Sequence, residues 1–320
     1  MNLGEREPVA GAVAAGRYDP ALSEAHGYES IAVAGGGCAA DMAVEAARVA
    51  LTRSAVDPAD IGVFVHAYVD EQGPKGVAEP ASYVQGMVHD GRARALGLRQ
   101  GCNSALASLE VGAMYVSAGG AAVLTSADKY EGGGGRYRED QGGVPADGAT
   151  AMVLGRGDGV ARLLATETVG DGRFSAPGGL DASRFEDRQE YRRAQRKRVM
   201  SMMRTMTEAR RDCVRGALAD AGVEAGDIRH WLLPYTGRFL VDGDFFAEFG
   251  IDAARTTWEL GRTVGHFTSG GDSFVGLTHL LETGAVEVGD RVVMLGDSTG
   301  FAFGCAVLEI VTKPAWQAGH

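Results

Sequence analysis

The sequence predicts an α/β fold of two pseudo-twofold-related halves, and three pairs of segments predict it. The first pair is Met42 to Asp70, "MAVEAARVALTRSAVDPADIGVFVHAYVD", and Thr207 to Arg238, "TEARRDCVRGALADAGVEAGDIRHWLLPYTGR". Each reads as an amphipathic helix, a turn holding an Asp-Ile pair (Asp60-Ile61, Asp227-Ile228) and an apolar strand. In the second pair, "GAAVLTSADKY" with the later "DGATAMVLGRG" matches "DRVVMLGDSTGFAFGCAVLEI": a strand, a polar loop, a second strand. Between these blocks lie "GCNSALASLEVG" and "TSGGDSFVGLTHLLETG", both small residues opening a mostly apolar helix. Strands apolar along their whole length are buried on both faces, so helices must flank each sheet. The starts of the two matching helices then meet near the pseudo-axis.

The halves divide near Gly157 to Ala165, which gives units 1–160 and 161–320. Ahead of that boundary, Glu131 to Gly148, "EGGGGRYREDQGGVPADG", is too rich in glycine for regular structure and reads as a solvated loop, with a lid or acceptor-recognition role as the alternative. A chain of 320 residues is long enough for a large core, and 45% hydrophobic with 23% charged residues is ordinary for a globular protein. The formal net charge of −11 disfavours nucleic acid or an anionic membrane surface as the main partner. No apolar run is long enough to span a bilayer, and the first residues lack a basic-then-apolar signal pattern. Cys38, Cys102, Cys213 and Cys305 are widely spaced without a C-x-x-C, so neither a disulfide framework nor a zinc site is expected. A reducing cytoplasm is the expected compartment.

Cys102 follows Gly101 and precedes a run of small residues, Ser104, Ala105 and Ala107. At the start of a buried helix its sulfur would face unpaired backbone N–H groups and the positive end of the helix dipole, which favours the reactive thiolate. A packed, inert thiol is the competing reading and the commoner fate of an intracellular cysteine. The matching helix in the other half tips the balance toward a nucleophile.

The order of motifs resembles the thiolase superfamily and, within it, the ketoacyl synthase III group. "AADMAVEAARVAL" is similar to that family's first long helix and "GCNSALASLE" to its active-cysteine segment. "DGATAMVLG" is similar to its D-G-A strand, and "GDRVVMLGDSTGFAFGCAVL" to its closing glycine-rich hairpin. The resemblance implies a thiolase-like layered αβαβα core and a homodimer. It covers most of the chain from about Cys38 onward, and the family's opening strand is not evident in residues 1–37.

The family's decarboxylating members use a histidine in a "PHQAN"-like strand and an asparagine in a "GN" segment. Here Tyr235 of "LLPYTGR" stands at the first position and His266 of "VGHFTSGGD" at the second. Those two groups stabilise an enolate by hydrogen bonding, so their absence makes the usual carbon–carbon bond formation doubtful. The pattern is closest to the ketosynthase III-like acyltransferases, and that resemblance implies a triad of Cys102, His266 and Asp272. Cys102 would carry the acyl group, His266 would take the acceptor's proton, and Asp272 would orient the imidazole or, equally, cap the helix that follows. The backbone of the Ser298-Thr299-Gly300 turn would help hold the oxyanion, and Tyr235 would fill space or help bind the acceptor.

One basic run stands out against the acidic total. Arg192 to Arg211, "RRAQRKRVMSMMRTMTEARR", interleaves charge with apolar residues at helical intervals. A solvated helix face is the usual outcome. The functional alternative is docking of an acidic acyl carrier protein, or of coenzyme A phosphates, by Arg192, Arg193, Arg196, Lys197, Arg198 and Arg204. The expected activity is therefore acyl transfer from an acyl carrier protein or coenzyme A thioester to a hydroxyl or amine of a small natural-product acceptor. No cofactor or metal is expected beyond the carrier's phosphopantetheine arm. The rival readings are an atypical condensing enzyme and a silent partner subunit.

Overall fold

The computed structural model describes residues 2–73, 79–130, 135–137, 143–171, 188–237, 243–298 and 302–316. The side chains of residues 2, 188–196, 198–200, 202 and 203 lie outside that description. In chain order the elements are β1 (Asn2–Leu3), β2 (Glu5–Pro8), α1 (Val9–Ala14), α2 (Pro20–His26), β3 (Ser30–Val33) and α3 (Ala39–Arg53). There follow β4 (Ile61–Ala67), α4 (Pro80–Val88), β5 (Arg94–Leu98), α5 (Ser104–Ser117), β6 (Ala121–Asp128), β7 (Gly148–Leu154) and β8 (Ala161–Gly170). The chain continues through α6 (Arg188–Ala221), β9 (Ile228–Leu232), α7 (Gly243–Phe249), α8 (Trp258–Val264), α9 (Asp272–Thr283), β10 (Arg291–Asp297) and β11 (Ala302–Ile310).

The duplication is visible in the topology. One sheet has the order β1-β7-β6-β4-β5, the other β8-β11-β10-β9. In the first, β4 runs parallel to β6, which is antiparallel to β7, which is antiparallel to β1. The second repeats this with β9, β10, β11 and β8. Both Asp-Ile pairs close a single 3-10 turn, Pro58–Asp60 and Ala225–Asp227, and Ile61 and Ile228 then open β4 and β9.

Side-chain alternation along the strands builds the layers. Val63 and Val65 of β4 face inward with Val292 and Met294 of β10, onto a shared cluster around Leu106 and Leu109 of α5 and Phe274, Leu277 and Leu281 of α9. Phe64 faces outward onto Ala43, Val44 and Ala47 of α3, while Val293 and Trp231 meet Val214, Ala217 and Leu218 of α6. Helices α5 and α9 therefore form the central layer, with α3 and α6 on the two outer faces. Burying strands on both faces in this way is what their unbroken apolar composition requires.

The N-terminal strand is β1, two residues paired with the edge of β7 at Asn2↔Ala149 and Leu3↔Gly148. A strand that short leaves no alternation in the sequence. Among the described residues no helix is long and apolar enough to cross a membrane.

Candidate active site

The two central helices begin beside each other because glycine lets their leading turns touch. Cys102 is half-buried and sits two residues ahead of α5, with Asn103 in the N-cap position. The sulfur is thus carried by the turn before the helix, outside its first coil. Ser104 Oγ shapes that turn by accepting from the Gln100 N–H (2.7 Å) and donating to the Gly101 carbonyl (2.7 Å). The preceding turn of α9 meets it backbone to backbone: Ala105 N–H donates to the Ser269 carbonyl at 2.9 Å. Gly270 has φ +84°, and a Cβ there would lie 2.3 Å from the Cys102 carbonyl oxygen. Gly270→Ala is accordingly expected to destabilise the fold by about 2–4 kcal/mol, through left-handed backbone strain and the clash. Urea unfolding checks this, and an unchanged midpoint would contradict the contact.

His266 and Asp272 lie on this second turn. His266 Nδ1 is 2.7 Å from Asp272 Oδ2, and both residues are buried. The same Oδ2 accepts from the Tyr235 N–H (2.8 Å), and Oδ1 accepts from the Phe267 N–H (2.8 Å). Asp272 is the first residue of α9, whose N-cap is Gly271, so the carboxylate orients the imidazole and the loop instead of capping the helix. With Nδ1 committed to Asp272, Nε2 is the nitrogen left to face Cys102, whose side chain helps raise the His266 pKa. Structure thus assembles Cys102, His266 and Asp272 in one line of contacts.

Burial alone would lower the His266 pKa, but the charge and hydrogen bond of Asp272, and then the contact with Cys102, outweigh it and raise it well above 6.5. A histidine whose folded pKa is raised binds its proton more tightly in the native state. Its contribution to stability is therefore fully present below the unfolded value, about 6.5, and is lost as pH rises through the folded value. The stability difference between the wild type and His266→Ala is expected to shrink from pH 6 to pH 9. Denaturant midpoints at the two pH values check the sign, and a widening gap would reverse it.

The end of the glycine-rich stretch departs from a solvated loop. His266 N–H donates to the Val144 carbonyl (2.9 Å), and Ala146 N–H donates to the His266 carbonyl (2.8 Å), so residues 144–146 bracket the histidine like a strand. Asp147 anchors that segment: buried, it accepts from the Ala34 and Tyr130 N–H groups and pairs with Arg136 at 2.9 Å. These residues escaped the sequence reading. The one signal was the D-G-A motif at Asp147, and nothing local linked it to His266. Residues 131–134 and 138–142 lie outside the described residues.

Of the two alternatives for Tyr235, its packing fits space-filling and corrects the expectation of acceptor binding. Its ring is fully buried against Gly261 and Gly276, and its hydroxyl donates to Thr257 Oγ1 at 3.0 Å. A side chain packed this way cannot meet an acceptor. Its tie to the site is the backbone N–H given to Asp272. Ser298 is buried beside the Cys102 turn, because a Cβ on Gly101 would lie 2.2 Å from its Oγ. Thr299 and Gly300 lie outside the described residues. In the basic run Lys197 is exposed and Arg204 pairs with Glu208 at 3.0 Å, while the side chains of Arg192, Arg193, Arg196 and Arg198 lie outside the described residues. Among the described residues no cluster of three His, Cys, Asp or Glu could hold a metal ion.

Comparisons with known proteins agree on the scaffold. The family described as 3-oxoacyl-[acyl-carrier-protein (ACP)] synthase III, C terminal, matches residues 218–310. A solved structure of ChlB3, titled an acyltransferase, superposes with a TM-score of 0.89 at 31% identity, over 99% of this chain and 97% of that one. The acetoacetyl CoA synthase NphT7 of Streptomyces sp. (strain CL190) is 26% identical over 283 residues, 84% of this chain and 83% of the relative. The 3-oxoacyl-(acyl carrier protein) synthase III of Pseudomonas aeruginosa PAO1 shares the fold, with a TM-score of 0.75 at 21% identity over 97% of this chain and 96% of that one.

Proposed function

The chain belongs to the ketoacyl synthase III-like enzymes of the thiolase fold, and from that premise we propose that it is an acyltransferase, moving an acyl group from an acyl carrier protein or coenzyme A thioester to a hydroxyl or amine. The observation that carries this reading is the Cys102–His266–Asp272 line, with the Tyr235 side chain turned away from it.

In the first step Cys102 Sγ attacks the thioester carbonyl, and the bond from acyl carbon to carrier sulfur breaks. The proton shared by Cys102 and His266 leaves with the carrier thiol. The N–H of Cys102 holds the developing oxyanion, with a second donor expected near Ser298 from the family resemblance. Acylation removes both the hydrogen bond and the charge through which Cys102 raises the His266 pKa, so the imidazole is freed to act as a base. In the second step the acceptor's oxygen or nitrogen attacks the acyl carbon while His266 takes its proton. The bond to Cys102 then breaks and the proton returns to sulfur. Asp272 holds the imidazole in register and stabilises its charged form.

The similarity to NphT7 favours condensation as the second reading. Against it, the fully buried Tyr235 hydroxyl is committed to Thr257, which leaves His266 without the partner that enolate stabilisation uses. Intact-mass analysis after incubation with acyl thioesters, followed by a malonyl thioester, separates the readings. Transfer predicts an acyl adduct on Cys102 and no carbon dioxide. Release of carbon dioxide would establish condensation, and no adduct with any donor would remove both.

A further inference from the structure

A buried carboxylate outside the triad connects its two halves. Asp128 is the last residue of β6, a strand buried along its whole length and paired on both sides, with β4 and with β7. Its carboxylate accepts three hydrogen bonds from the turn between His266 and Asp272: from Ser269 Oγ (2.6 Å), from the Ser269 N–H (3.0 Å) and from Thr268 Oγ1 (3.0 Å). The carbonyl of that same Ser269 accepts from Ala105 at the start of α5. One residue is thereby held by the first sheet through its N–H and hydroxyl, and by the cysteine's helix through its carbonyl.

The choice of a carboxylate is costly. Asp128 is buried, and it has no ion pair among the described residues. Burial raises its pKa to about 6, and the repulsion of Asp70 adds to this, while the hydrogen bonds of Ser269 and Thr268 work the other way. A neutral side chain would avoid that desolvation, but would not accept three donors at once.

Resting on His266 as the base, we propose that Asp128 is a positioning residue: it pins the turn that carries His266 and Asp272 to the rigid strand β6, and so sets the imidazole at its working distance from the acyl group on Cys102. Phe267 and Asp272 close the turn upon itself, but that bond leaves the turn's placement on Cys102 open. Beside the backbone bonds from Ala105 and from residues 144–146, Asp128 supplies a side-chain reference on the rigid strand. Misplacing a catalytic group by about 1 Å costs on the order of a hundredfold in rate.

The test is a double-mutant cycle on the transfer step, measured in single turnover from enzyme already acylated on Cys102. Asp128→Ala is expected to slow transfer roughly 10- to 100-fold in the wild-type background. In a His266→Ala background, where no imidazole remains to be positioned, it should change transfer by less than about twofold. A general loss of packing would slow both backgrounds alike, and equal slowing overturns the proposal, as does a folded Asp128→Ala enzyme with wild-type transfer. Should Asp128→Ala fail to fold, Ser269→Ala removes only one hydroxyl and keeps the backbone bond. It is expected to slow transfer about threefold to tenfold with the same dependence on His266, and an unchanged rate overturns the proposal. If His266→Ala by itself leaves transfer intact, the reading of His266 as the base fails first and this proposal falls with it. If His266→Ala abolishes transfer while Asp128→Ala and Ser269→Ala do not slow it, only the positioning role fails.

Discussion

Cys102→Ala is expected to yield a folded protein that takes up no acyl group from any thioester, with turnover reduced by about 10⁴- to 10⁶-fold, the range seen when a covalent nucleophile is removed. The site explains why folding should survive. Cys102 is half-buried on a turn whose shape is set by Ser104, Gly101 and Gly270, so a smaller side chain leaves those contacts in place. Intact mass reads the first half of the prediction and steady-state turnover the second. Wild-type turnover in the alanine variant would move the nucleophile elsewhere, and the other half-buried thiol, Cys38 at the N-cap of α3, would be the next to test.

His266→Ala is expected to act on the second step. Loss of a general base costs about 10²- to 10⁴-fold. Because Cys102 can still meet a reactive thioester, acylation should be spared more than transfer, and the acyl-enzyme should accumulate in the mass spectrum. Equal loss of both steps would contradict the division of roles, and would place His266 chiefly in the activation of Cys102. The substitution also leaves Asp272 buried with an uncompensated charge, held, among the described residues, by the N–H groups of Tyr235 and Phe267. Some loss of stability is therefore expected, largest at low pH, where the native imidazole is charged.

Much of the layout was legible because it is local and repeated. The paired Asp-Ile turns and the paired apolar strands became two sheets with the same strand order and direction. Gly270, with left-handed backbone, is where close approach lets the two helix starts touch, and Gly101, also left-handed, makes room for Ser298 beside Cys102. Tyr235 marks the limit of that reading. The direction of its side chain depends on Gly261 and Gly276, which make room for the ring inside the core. The same holds for the basic run, which continues without a break into the helix that packs on the second sheet.

By itself, the sequence determined the duplicated α/β plan and the pairing of the two central helices, while the family resemblance pointed to Cys102, His266 and Asp272. Periodicity and composition dictate burial, and burial dictates layers. Only the tertiary structure decided that Asp272 faces His266 instead of capping α9, that residues 144–146 bracket the histidine, and that Asp128 grips the turn from 141 positions away. These are hydrogen bonds between segments remote in the chain. No local pattern encodes them, because each partner's side chain is directed by the packing of a different strand or helix.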